Sequence, residues 1–75
     1  MMNRRQKVEK GLVENVSITY TLEGYYSEGW EEVTSASTYK EIKADLKSYY
    51  ENEKGTYRVF YRYCVNGKEG RRNYI

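Results

Sequence analysis

The chain has 75 residues, is 39% hydrophobic and 32% charged, and places Tyr at 10 of its 12 aromatic positions; it has material for one small core and no second domain. It contains no His, which removes the Ser/His and Cys/His nucleophile pairs, most zinc sites and the ordinary acid–base group near neutrality, so neither an enzyme nor a bound cofactor or metal is expected. Net charge is only +2 but uneven, at +3 over residues 1–10, −6 over 11–53 and +5 over 54–75.

Met1 to Gly11 is basic and aperiodic and reads as a flexible arm, leaving 12–75 as a single small α+β domain. From Leu12 to Glu23 the residues alternate, with Val16, Ile18, Tyr20 and Leu22 on one side and Ser17, Thr19, Thr21 and Glu23 on the other, the pattern of a half-buried strand. Gly24 to Gly29 reads as a loop bracketed by glycines, and Trp30 to Thr34 as a short antiparallel return. Thr38 followed by Glu41 matches a capping box and starts a helix at Tyr39, whose stripe of Tyr39, Ile42, Leu46, Tyr49 and Tyr50 calls for a sheet beneath it. Asn52 or Gly55 is the natural left-handed residue at its end. Thr56 to Val65, Asn66-Gly67 and Lys68 to Ile75 then form a hairpin. The expected architecture is a four-stranded antiparallel sheet, β-β-α-β-β along the chain, with one helix packed on one face.

A two-residue turn at Asn66-Gly67 sets Val65 opposite Lys68 and, counting outward, Arg62 opposite Arg71. Tyr57, Val59, Tyr61, Tyr63 and Val65 then meet the helix, joined by Tyr74, Arg72, Gly70 and Lys68, while Arg58, Phe60, Arg62 and Cys64 face outward with Ile75, Asn73, Arg71 and Glu69. Like charges across a strand pair do not help folding, and guanidinium groups around a ring suit phosphate, carboxylate or a stacked base. The alternative is a solvated face whose arginines splay into water. Tyr25, Tyr26 and Glu28, with Trp30, form a second candidate surface, because Tyr and Trp give large contact area at low entropy cost. Folding of Tyr25 or Trp30 over the edge of the core is the competing account.

The lone Cys64 cannot close an internal disulfide, and no apolar run approaches membrane-spanning length, which together point to a cytoplasmic protein without a membrane partner. The stretches Gly29-Trp30-Glu31-Glu32-Val33-Thr34, Thr38-Tyr39-Lys40-Glu41, Leu46-Lys47-Ser48-Tyr49-Tyr50-Glu51-Asn52-Glu53 and Tyr57-Arg58-Val59 resemble a pattern in small uncharacterised bacteriophage and prophage proteins. The resemblance implies no catalytic residues. It implies an accessory protein that occupies the surface of a larger host complex, as anti-CRISPR inhibitors do. Under this reading the partner is a host protein or protein–nucleic-acid complex, and Glu28, Glu31 and Glu32, with Glu41 and Asp45, imitate phosphates toward a basic channel. Direct nucleic-acid binding by Arg58, Phe60, Arg62 and Arg71 is the alternative, and a homodimer of about 18 kDa is a third possibility.

Overall fold

The computed structural model describes all 75 residues. It is a small α+β fold with the elements α1 (Arg4–Glu9), β1 (Val16–Tyr26), β2 (Gly29–Ala36), α2 (Tyr39–Asn52), β3 (Tyr57–Val65), β4 (Lys68–Glu69) and β5 (Asn73–Tyr74). The strands form one antiparallel sheet in the order β2–β1–β3–β4, with β5 also paired to β3. Neither helix is long and apolar enough to cross a membrane.

The alternation in β1 sets the two faces. Ile18, Tyr20 and Leu22 lie opposite Tyr63, Tyr61 and Val59 of β3, and this face meets Ile42 of α2 in the core. Tyr20, Leu22 and Ile42 are wholly excluded from solvent, and each contributes roughly 1.5–3 kcal/mol by burial. The expected loop after Glu23 contracts to the turn Ser27-Glu28, so Tyr25 and Tyr26 belong to the strand. Gly24 sits inside that strand because the ring of Tyr26 folds over it, 2.8 Å from where a Cβ would stand. Asn66 and Gly67 both have positive φ, at 51° and 81°, as a two-residue hairpin turn requires.

The first ten residues depart from the expected arm. Asn3 and Gln6 cap each other reciprocally and start a helix, and Val8 on that helix enters the core at 4% exposure. The sheet therefore carries two helices on one face rather than one. Glu9 ties them together, since its carboxylate accepts from the Tyr20 hydroxyl of β1 and from the Tyr39 amide at the start of α2. That amide is one of the donors a helix start leaves open, and Thr38 satisfies another by accepting from the Glu41 amide. At the far end of α2 no residue turns left-handed: Glu53 is extended at φ −146°, and the Tyr57 hydroxyl donates to its carbonyl.

Burial, then the hydrogen bond to Glu9, pushes the Tyr20 hydroxyl well above its ordinary value near 10, and burial also raises Tyr57 and Tyr63. A raised folded value means the native state holds its proton longer than the unfolded chain. The contribution is complete below about pH 10 and is lost as pH climbs through the folded value. Stability measured by urea unfolding is expected to fall steadily above about pH 10 and less steeply in Tyr20→Phe, which gives up about 1 kcal/mol at neutral pH. A Val8→Ala variant is expected to lose about 2 kcal/mol in the same assay; a frayed terminus would lose almost nothing.

Candidate functional site

The face opposite the helices is built from Thr19, Thr21, Glu23 and Tyr25 of β1, Trp30, Glu32 and Ser35 of β2, and Arg58, Phe60 and Arg62 of β3. Its organising group is Glu23, which lies opposite Arg58 and retains only 5% exposure. A carboxylate buried so far needs cationic hydrogen-bond partners to replace its water. Arg58 supplies its Nε at 2.7 Å, and Arg72 supplies an Nη at 3.4 Å to the other oxygen.

Arg72 reaches Glu23 because the C-terminal strand slips by one residue. Cys64 and Val65 pair with Glu69 and Lys68 as a two-residue turn demands, but Phe60 and Tyr61 pair with Tyr74 and Asn73, one place out of step. The extra residue lies between Glu69 and Asn73, and a one-residue slip exchanges the faces of everything beyond it. Arg72 and Tyr74, expected against the helix, therefore stand on the open face, and Arg71 turns to the other side. The expected opposition of Arg62 and Arg71 does not occur. Arg62 instead donates to the Gly70 carbonyl at 2.8 Å and pairs with Glu69 at 3.2 Å. Phe60, expected as an exposed anchor, is 4% exposed beneath Tyr74 and Arg72.

These side chains form a continuous stack across the sheet. The Tyr25 ring meets Trp30 edge-on at 5.2 Å, the Arg58 guanidinium lies 4.0 Å over Trp30 and 4.6 Å over Tyr74, and Tyr74 packs on Phe60 at 5.5 Å. Arg72 closes the row 4.5 Å over Phe60. Each cation–ring contact contributes about 0.5–2 kcal/mol depending on its solvation. Tyr25, Trp30 and Tyr74 keep 56%, 37% and 51% of their surface exposed, so the row is an open aromatic surface around one half-buried guanidinium.

The remaining candidates scatter. Tyr26 folds over Gly24 on the helix side, where burial and then Glu53 raise its hydroxyl. Glu28 is exposed in the β1–β2 turn. Glu32 lies opposite Glu23 on the open face, whereas Glu31 lies opposite Gly24 on the helix side, so the acids of β2 do not make a single patch. Sequence reasoning missed Glu23, Arg72 and Tyr74. Glu23 was visible as the only acid among the hydroxyl residues alternating along β1, but its value depends on which strand lies beside it.

Searches against family models, characterised proteins and solved structures found no match.

Glu23→Gln removes the charge but not the shape, and is expected to cost about 2 kcal/mol in urea unfolding because two arginines lose their acceptor. Glu23→Ala is expected to cost about 3 kcal/mol. A loss under about 0.5 kcal/mol in both would mean that the rings alone hold Arg58.

Proposed function

We propose that this protein is a non-enzymatic binding module whose open sheet face docks on a protein surface of a larger host complex and blocks it. The observation that carries the reading is the uninterrupted row Tyr25–Trp30–Arg58–Tyr74, exposed on the face that neither helix covers. Trp, Tyr and Arg dominate the energetics of protein interfaces because each offers large area and a polar tip with few rotors to freeze. Arg58 is held in place by Glu23 before any partner arrives, so little ordering entropy remains to be lost on binding.

Charge around the row suggests the partner's character. Glu28 and Glu32 lie at the acidic turn and along the same face, so the complementary surface is cationic, as on a complex that handles nucleic acid. Of the acids expected to imitate phosphates, Glu32 lies on this face and Glu28 at its turn, while Glu31, Glu41 and Asp45 lie elsewhere, so the imitation falls to these two. The resemblance to small phage proteins, which implies inhibitors of host defence acting in the host cytoplasm, supports the same reading. A nucleic-acid strand is served less well by this face, because Arg58, Arg62 and Arg72 already hold the carboxylates of Glu23 and Glu69.

The test is affinity capture from host lysate followed by mass spectrometry, with variants run in parallel. Trp30→Ala and Tyr74→Ala are each expected to weaken capture of one defined partner at least about 30-fold, the factor for a 2 kcal/mol hot spot. Lys40→Ala, on exposed α2, is expected to leave it unchanged. Equal capture by wild type and by Trp30→Ala, with both proteins folded by circular dichroism, sinks the reading.

A further inference from the structure

The sheet has a second open concavity, on the helix side and at the opposite end of β1 from the Ser27-Glu28 turn. Between α1 and the β3–β4 hairpin lies a groove of about 540 Å³ lined by Arg4, Tyr63, Val65, Lys68, Gly70, Arg71 and Asn73. Three of its walls are cationic, and Arg4, Lys68 and Arg71 are all exposed. None of the three lies within ion-pairing distance of a carboxylate, in contrast to the three paired arginines of the open face.

The fold itself produces this separation. The basic residues 1–10 and the basic C-terminal block are far apart in sequence, yet α1 packs on β1 and Arg4 lies 4.9 Å over the Tyr63 ring of β3, which brings the two blocks together. The slip after Glu69 then divides the hairpin's charges. Glu69 and Arg72 go to the open face and neutralise or are neutralised there, while Arg71 is turned into the groove. Since β1 is 11 residues long, roughly 35 Å separates this end from the acidic turn. The acids of the Ser27-Glu28 turn are therefore remote from these charges, and of the −6 middle of the chain Glu14 lies near this end, next to Asn15, whose carbonyl accepts from the Asn66 amide.

We infer that this groove is a binding site for the phosphodiester backbone of a nucleic-acid strand. Three unpaired cations converging on one concavity match a row of phosphates, since Arg gives a two-pronged contact and Lys a point charge. The Tyr63 ring carries the Arg4 guanidinium over it at 4.9 Å, and the Asn73 amide donates to the Tyr61 and Arg71 carbonyls, so what the groove presents is its cations on a firm floor. An acidic protein segment would present carboxylates at uneven spacing, whereas a nucleic-acid strand repeats one charge per nucleotide, so the strand is the better occupant. The site uses none of the side chains of the aromatic row, and each can be tested without the other.

The experiment is fluorescence anisotropy of a labelled oligothymidylate of about 12 nucleotides titrated with the full chain at several salt concentrations. Binding is expected with a log–log salt slope near −2, the value for three phosphate contacts on a single strand, falling in magnitude by about 0.7 in Arg71→Gln and again in the double variant with Lys68→Gln. Both side chains are exposed, so folding is expected to be unchanged by circular dichroism. Trp30→Ala is expected to bind the strand like wild type. No binding at the lowest salt, a slope that Arg71→Gln does not move, or equal competition by polyglutamate of the same length each overturns the assignment.

Discussion

A buried carboxylate on the face of the sheet that no helix covers constrains much of this structure. Glu23 stands where a thermodynamically indifferent chain would keep a Thr or Ser, as Thr19 and Thr21 do at the neighbouring outward positions. Removing its water costs several kcal/mol, more than a domain of this size can leave uncompensated. Compensation comes from two strands at once, Arg58 from β3 by direct pairing and Arg72 from the C-terminal segment by a slipped register. Each arginine then needs its flat face covered, and Trp30, Tyr74 and Phe60 do this. The aromatic row is thus the shell of an ion pair before it is anything else, and its outer rings remain available because a sheet this narrow cannot enclose them.

Glu9 has the corresponding place on the other face. It joins α1, β1 and α2 through one carboxylate, accepting from a phenol and from a helix-start amide. The two acids differ in how they are satisfied: Glu9 is held by neutral donors and Glu23 by cations. That difference follows from burial, because Glu9 is only partly covered and can keep some water, whereas Glu23 cannot.

What the sequence made legible was local. The alternation of β1, the Thr38 start of α2 and the Asn66-Gly67 turn each depend on residues within one or two turns of chain; the helix start and the turn lie where those signals put them, and the alternating residues Val16 to Glu23 lie in β1, although the strand starts later than Leu12 and runs on to Tyr26. The apolar stripe of α2 also meets the sheet as its periodicity demands, through Tyr39, Ile42, Leu46 and Tyr49. The missed features depended on partners distant in sequence. Nothing in Asn3 to Val8 says that Val8 has a core to enter, although the Asn3–Gln6 pair was a readable start signal. A register counted outward from the hairpin turn cannot see an inserted residue, and it puts Arg71, Arg72 and Tyr74 on the wrong faces.

The slip has a physical reason that links the two candidate surfaces. Held in the unslipped register, Arg72 and Tyr74 would turn toward the helix-side core and Arg71 would stand beside Arg62, leaving Glu23 with a single partner and adding a like-charge contact. One extra residue removes the repulsion, completes the ion triad and covers Phe60, at the loss of regular pairing between Glu69 and Asn73. The same step rotates Arg71 away from every carboxylate and into the groove beside Arg4. Neutralising one face and leaving the other charged are therefore a single structural event, and the polarity of the molecule is set where β3 meets its C-terminal partner strands.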